Sequence, residues 1–207
     1  TRGVFILAYL LVVVGGSLLL FAIRAPSIVQ GSNFSGQSRE TQLLINNLMF
    51  TAMAAMVLIG TLYPLLLDAL DAGKISVGPP YFGLMFALLL IPVAVALPLG
   101  IYSRWQSDKM ARLARELALP AVFAVMTGLA VYFWLPDAGG WGIAGSAAAI
   151  WVIAASIRQF VDRFTHVKTQ RPSRSEVGMT LAHLGLGVFL IGASLTNPVS
   201  EEKHLRM

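Results

Sequence analysis

The sequence predicts an all-α, polytopic integral membrane protein with about six transmembrane helices. Of its 207 residues, 57% are hydrophobic and 12% are charged, and the mean hydropathy is +0.74. A soluble domain of this size cannot bury so large an apolar fraction, so much of that surface must face lipid or other helices. The apolar residues run continuously for about 20 positions at a time, whereas the strands of a membrane barrel alternate.

Six apolar segments are long enough to cross a bilayer. A hydrocarbon core about 30 Å thick needs about 20 helical residues, and lipid offers no partner for free backbone groups, so each segment must be helical. Pro92 and Pro98 predict kinks in the third helix. The whole chain, residues 1–207, is predicted to be a single transmembrane section, with spans near residues 3–23, 43–67, 83–102, 119–135, 141–160 and 177–196.

Lysine and arginine concentrate on one side of the predicted membrane. Eleven of the 15 basic residues fall there and four fall on the other side. Because cytoplasmic loops accumulate basic residues, both chain ends are predicted to lie on the outer side. The net charge of +5 follows this placement, so we expect lipid and not nucleic acid as a partner. The cytoplasmic set is Arg24, Arg39, Arg104, Lys109, Arg112, Arg115, Arg158, Arg163, Lys168, Arg171 and Arg174, and the outer set is Arg2, Lys74, Lys203 and Arg206.

Several kinds of chemistry are excluded. The chain contains no cysteine, which rules out disulfides, thiolate-bound metals and thiol chemistry of its own. It also lacks a phosphate loop, zinc-type histidine spacing and a Ser-His-Asp arrangement, so no catalytic residue is identified. The chain opens at Thr1 without a signal peptide and ends shortly after the sixth segment, which predicts a piece of a longer protein or a processed product.

Two connectors differ from ordinary links. Residues 103–118 place apolar side chains at helical spacing among basic ones, which predicts either an interfacial amphipathic helix or a solvated cytoplasmic link. In residues 74–82, Gly78 and two prolines predict a rigid turn, followed by Tyr81 and Phe82 at the level of an aromatic belt.

His183 is the residue most suggestive of chemistry. It lies about seven residues into the sixth segment from its cytoplasmic end. Ionisable residues inside a membrane are costly and usually face a bundle interior, a water-filled path or a ligand. Three interpretations stay open from the residues alone: a hydrogen bond across helices, an axial ligand of haem iron, or a step in a proton path.

The sixth segment predicts two occupied faces. Gly178, Gly185 and Gly192 recur every seven residues and form a smooth stripe suited to close helix contact. At about 100° per residue, His183 falls nearly opposite this stripe, and Gly187 lies one turn away on the face of His183. A glycine beside a histidine predicts room for a flat ligand.

A haem with two histidine ligands needs a partner that this chain does not supply at matching depth. His166 is predicted in a basic cytoplasmic loop and His204 in the outer tail, so the second ligand is expected from outside the 207 residues. Asn46 and Asn47, early in the second segment, are interpreted as residues that bond between helices.

Six stretches of the chain carry a family resemblance. They are residues 1–7 (Thr-Arg-Gly-Val-Phe-Ile-Leu), 38–41 (Ser-Arg-Glu-Thr), 46–48 (Asn-Asn-Leu), 58–64 (Leu-Ile-Gly-Thr-Leu-Tyr-Pro), 75–82 (Ile-Ser-Val-Gly-Pro-Pro-Tyr-Phe) and 182–185 (Ala-His-Leu-Gly). In this order they resemble the C-terminal part of the CcmF family, the bacterial cytochrome c-type biogenesis haem lyases of the haem-handling (WWD) superfamily. The resemblance covers nearly the whole chain and is most specific between Gly60 and Phe82.

The resemblance implies a function in covalent attachment of haem to apocytochrome c. Members of the family take substrate haem from the periplasmic haem chaperone CcmE and work in the bacterial inner membrane with CcmH/CcmI-type partners. They also hold a resident haem b between two transmembrane histidines, and His183 matches the later one. The implied role of His183 is therefore axial ligation of haem iron, and Gly187 is the predicted space beside that haem.

The departures from the family are equally informative. The tryptophan-rich outer segment, the two outer-face histidines and the first transmembrane histidine have no counterpart here. The chain is therefore expected to be one section of the lyase and incomplete as an enzyme. The alternatives are a membrane transporter subunit, a quinol-linked cytochrome b subunit, or a structural subunit without chemistry.

Overall fold

The computed structural model describes residues 2–28, 35–166 and 173–199, and most of these are helical and none is in a β-strand. Six of the helices are each long and apolar enough to cross a membrane. The predicted all-α membrane fold is confirmed. In chain order the elements are α1 (Arg2–Ile28), α2 (Arg39–Ala69), α3 (Pro79–Tyr102), α4 (Met110–Trp134), a short 3-10 helix (Pro136–Ala138), α5 (Gly139–His166) and α6 (Arg174–Val199).

Several helices extend beyond the apolar segments that predict them. The largest difference is in α4, which begins at Met110, because the amphipathic stretch continues into the apolar one without a break. Residues 103–109 are not helical, so the separate interfacial helix predicted for residues 103–118 is wrong. Leu113 and Leu117 are buried in α4, so this stretch is not a solvated link either.

The chain divides into two compact units, which are described separately. The smaller consists of residues 1–33 and 50–86, and the larger of residues 34–49 and 87–207. The helices α2 and α3 each contribute to both units. The prediction of a single transmembrane section stays a prediction.

In the smaller unit, the two most specific segments of the family resemblance contact each other. A Cβ atom at Gly60 of α2 would lie 2.6 Å from Cε1 of Tyr81 and 3.1 Å from the ring of Phe82. The hydroxyl of Tyr81 donates a hydrogen bond to the carbonyl of Met56 at 3.2 Å. Pro79 begins α3, a position that suits proline, so Tyr81 and Phe82 lie in the first helical turn and pack on α2. This corrects the rigid turn predicted there.

The first helix, α1, buries none of its most apolar stretch against other described residues. Large side chains along it are exposed, including Phe5 at 73% and Leu11 at 75%. In a bilayer, such a surface faces lipid or other membrane segments.

In the larger unit, α5 packs against both α4 and α6. Ala149, Val152 and Ala155 of α5 have no exposed surface. The indole nitrogen of Trp151 donates to the carbonyl of Val95 at 3.1 Å. This hydrogen bond joins α5 to α3 within the larger unit. The helix α3 runs through Pro92 and Pro98, and the kinks stay a prediction.

Candidate functional site

A cavity of about 230 Å³ lies beside His183 in the larger unit. Three helices form its walls, and its lining combines a few polar side chains with mostly apolar ones, which is typical of ligand sites. Met179 and His183 of α6 line it, together with Arg39, Gln42, Leu43, Ile45, Asn46 and Met49 of α2 and Val93, Ala96, Leu97, Gly100 and Ile101 of α3.

His183 is half-buried in the cavity wall, about 13 Å along the helix axis from the start of α6 at Arg174. Its Nδ1 atom is buried and has no hydrogen-bond partner within the described part of the chain. A hydrogen bond across helices is therefore not made by this nitrogen. Buried polar atoms are rarely left unpaired, and the residue that carries this one is part of the cavity lining.

A row of polar side chains on α2 shares the cavity with His183. Arg39, Gln42 and Asn46 follow one another at spacings of three and four, which places them on one helix face, and all three line the cavity. The sequence analysis does not predict this row. It assigns Arg39 to the cytoplasmic basic residues and Asn46 to the residues that bond between helices. The helical spacing was the available signal. Asn46 lines the cavity together with residues of α3 and α6. The predicted hydrogen bond between helices would require such a position.

The guanidinium of Arg39 makes a cation–π contact with an aromatic ring. Its Cζ atom lies 5.2 Å from the ring centroid of Trp105. Within the described ranges, no carboxylate forms an ion pair with Arg39. A cation–π contact uses none of the N–H groups of the guanidinium as hydrogen-bond donors to a carboxylate.

Backbone hydrogen bonds fix the start of α2 to the connector between α3 and α4. We call this arrangement, formed by residues 35–41 and 102–112, the connector clamp. Its backbone bonds join Ser35 N to Gln106 O at 2.8 Å, Arg39 N to Arg104 O at 2.8 Å and Asp108 N to Gln37 O at 2.6 Å. The clamp sets the position from which the Arg39 side chain reaches the cavity.

The carboxylate of Asp108 organises the connector side of the clamp. Its side chain is 2% exposed, and it accepts hydrogen bonds from Lys109 N at 2.7 Å, from Arg104 N at 2.9 Å and from Arg112 Nε at 2.9 Å. A second nitrogen of Arg112 forms an ion pair with it. The hydrogen bond from Arg112, followed by those from the backbone, holds the pKa of Asp108 well below its usual range.

Asp108→Asn is expected to destabilise the larger unit by about 2 kcal/mol, because the amide keeps one acceptor oxygen and leaves Arg112 without a counter-charge. A carboxylate whose pKa is depressed in the folded state stabilises the fold fully at pH values above its pKa in the unfolded chain, about 3.9. This contribution is lost as the pH falls from there toward the folded-state pKa. The gap in apparent Tm between the protein and the variant should therefore be constant above about pH 5 and narrow below about pH 4.

The control for this prediction is Asp137→Asn, which removes an exposed carboxylate of the same unit. This variant should have almost the same apparent Tm as the natural sequence at every pH. If the difference in apparent Tm between the protein and Asp108→Asn widens as the solution becomes more acidic, the stabilising role given to the Asp108 carboxylate is wrong.

Gly187 has a different role from the predicted one. A Cβ atom there would lie 2.4 Å from Cγ1 of Ile153 and 3.2 Å from the carbonyl oxygen of Ala149, both on α5. The space predicted beside the haem is filled by Ile153, and Gly187 does not line the cavity. This corrects the role of Gly187, which is to let α6 approach α5.

The glycine stripe of α6 has no neighbour in the described structure. A Cβ atom at Gly178, Gly185 or Gly192 would meet nothing within 4 Å among the described residues. Among these residues, close helix contact occurs on the Gly187 face of α6, and contact along the stripe stays a prediction.

The structure gives only the backbone position of one of the other two histidines. The backbone of His166 ends α5, in place of the loop predicted for it, and His204 lies outside the described residues. No group of three or more metal-ligating side chains occurs in the described ranges. An unpaired imidazole beside apolar walls and a polar cavity end fits an axial haem ligand, which needs a single protein nitrogen on each side of the iron.

Curated relatives match this chain along its whole length. The cytochrome c-type biogenesis protein CcmF of Pseudomonas aeruginosa is 44% identical over 214 residues, which cover 100% of this chain and 32% of that protein. The CcmF protein of Escherichia coli is 36% identical, with the same shares covered. The cytochrome c-type biogenesis protein NrfE of Haemophilus influenzae is 26% identical, again over 100% of this chain and 32% of that protein.

The chain spans about one third of the length of these relatives. No family model and no solved structure matches it. The matches confirm the resemblance predicted from the sequence and agree with a C-terminal part of such a protein.

Proposed function

We propose that this chain, a multi-pass membrane protein homologous over its whole length to one section of CcmF-type cytochrome c-type biogenesis proteins, holds a resident b-type haem through His183. One observation carries the proposal: the buried Nδ1 atom of His183 lacks a hydrogen-bond partner beside a largely apolar cavity. A role in cytochrome c biogenesis is what the names of the relatives support.

The residues of this chain would act on the haem in three ways. His183 ligates the iron from one side, the apolar walls from α2 and α3 exclude water, and the packing of α6 on α5 fixes the depth of the ligand. A haem held there supplies one-electron redox chemistry at its iron. The second axial ligand is expected from outside the 207 residues.

The whole protein is proposed to be a haem lyase of the bacterial inner membrane, with both ends of this chain periplasmic. It would take substrate haem from the periplasmic chaperone CcmE and attach it covalently to apocytochrome c, together with CcmH/CcmI-type subunits. No catalytic residue is assigned in this chain. Residues 74–82 are proposed to shape the outer surface near substrate haem and partners.

The resident haem is further proposed to keep the substrate haem iron reduced while its thioether bonds form. The motivation is the depth of His183, which lies nearer the predicted cytoplasmic end of α6 than the outer-face chemistry. If the redox state of the substrate haem is unchanged when His183 is replaced, this electron-transfer role is wrong.

The first test is an optical spectrum of the natural full-length protein in detergent, oxidised and then reduced. A reduced b-type band that depends on His183 supports the proposal, and a band that persists in the His183→Ala variant overturns it. A transporter subunit instead predicts solute flux without haem absorbance. A quinol-linked cytochrome b subunit predicts reduction of the band by quinol, and its own chain would usually hold two histidines at membrane depth.

A further inference from the structure

The polar end of the His183 cavity has the chemistry of an anion site. Arg39, Gln42 and Asn46 present a cation and two amides along one face of α2. The row extends about 10 Å along the helix axis, from the start of α2 toward the middle of the membrane. Its positive charge lies at the end of the cavity nearest the predicted cytoplasmic surface, where an anionic group is least costly to bury.

Arg39 is positioned for a ligand and not for a partner within the described chain. Its guanidinium makes a cation–π contact with Trp105, and no described carboxylate pairs with it. The nearby Glu40 is engaged elsewhere, because both of its carboxylate oxygens accept from Gln106 N at 3.0 Å. The planar N–H edges of an arginine match a carboxylate in a way that a lysine does not.

The geometry is fixed before any ligand binds. The connector clamp holds the backbone of Arg39 through its bond to Arg104. A Cβ atom at Gly100 of α3 would lie 3.3 Å from Cβ of Gln42, so α3 approaches the polar row closely. A site held in this way loses little conformational entropy when a ligand enters.

We infer that Arg39, with Gln42 and Asn46, binds a carboxylate of the haem whose iron His183 ligates, and so fixes the orientation of the ring in the cavity. This inference rests on the proposed haem ligation by His183. It assigns Arg39 as a positioning residue, which acts on the haem periphery and not on the iron.

The test compares three variants of the natural full-length protein loaded with haem. Arg39→Gln should lose haem to an apo-globin acceptor about tenfold faster than the natural protein, because a charge-assisted hydrogen bond is removed. Its midpoint potential should fall, since a cation near the haem favours the reduced iron. Arg39→Lys keeps the charge, so its rate of haem loss should lie between those of the natural protein and Arg39→Gln. The control, Arg115→Gln, removes an equal charge at an exposed position of α4 and should match the natural protein.

A modified haem gives a second arm that does not depend on how well a variant folds. When both haem carboxylates are methyl esters, the natural protein should lose the ring as fast as Arg39→Gln, and the tenfold difference between the two proteins should disappear. Equal rates and potentials for the natural protein and Arg39→Gln with ordinary haem would overturn the inference.

Three further outcomes separate the possible failures. If Arg39→Gln lowers the amount of anionic phospholipid that copurifies and leaves haem loss unchanged, the anion is a lipid phosphate and the inference is wrong. If the b-type band survives His183→Ala, the proposed function itself fails. If the band is lost in His183→Ala but Arg39→Gln has no effect, the carboxylate contact is refuted and the proposed ligation by His183 stands.

Discussion

His183→Ala is expected to abolish the b-type haem spectrum of the natural full-length protein while its helical content is retained. In the proposed haem site, removal of this imidazole would leave the iron without a ligand from α6. His183 makes no hydrogen bond through its buried Nδ1 atom within the described structure, so its loss should disturb packing little. The measurement is the reduced-minus-oxidised spectrum, with haem quantified per protein and helical content followed by circular dichroism.

Two companion variants distinguish ligation from a structural role. In His183→Gly, added imidazole should enter the vacated volume and restore the band, which no purely structural histidine would show. His183→Gln keeps a neutral polar side chain that bonds across helices, so it should retain the band only if the histidine is structural. Failure of imidazole to restore any band, together with an intact band in His183→Gln, would contradict the assignment.

Gly187→Ala is expected to destabilise the larger unit by about 2 kcal/mol, because an added methyl group overlaps the neighbouring helix. The nearest atom, Cγ1 of Ile153, is an inner atom of a branched side chain, and the carbonyl of Ala149 is backbone. Neither moves aside easily. The measurement is the apparent Tm in detergent, supported by denaturant unfolding.

A double variant tests whether this contact is responsible. Ile153→Ala removes the overlapping side-chain atoms, so Gly187→Ala should cost less in its presence, with a coupling energy of about 1 kcal/mol or more. Gly185→Ala on the same helix is the matched control, since a Cβ there meets nothing among the described residues. It should be neutral or slightly stabilising, as alanine favours helix over glycine. Additive effects of Gly187→Ala and Ile153→Ala would show that the α5 contact is not the cause.

Hydropathy was sufficient to predict the number and approximate position of the membrane helices. The boundaries differ because hydropathy identifies the lipid-spanning part, whereas helices continue into the polar interface. For α4, the sequence showed both an amphipathic and an apolar stretch, and nothing in either specified that one helix contains both. For α3, two prolines suggested a turn, although proline is also favoured in the first turn of a helix.

The site was only partly predictable. His183 stood out because an ionisable residue inside the membrane is costly, and the structure places it at a cavity. The helix that contacts the Gly187 face of α6 was not predicted, since glycine spacing shows where a close approach is permitted and not which helix makes it. Gly187 contacts α5 because Ile153 lies opposite, and that pairing is a property of the tertiary structure.

The connector clamp has a consequence for how sequences of this kind can change over time. Its three cross-connections are made by main-chain atoms, so the side chains of Gln37, Arg104 and Gln106 are not needed to form them. Gln106 adopts φ 64°, a conformation that favours glycine or asparagine. We therefore expect orthologous chains to vary freely at Gln37 and Arg104 and to favour glycine or asparagine at position 106, while the backbone arrangement beside the cavity is retained.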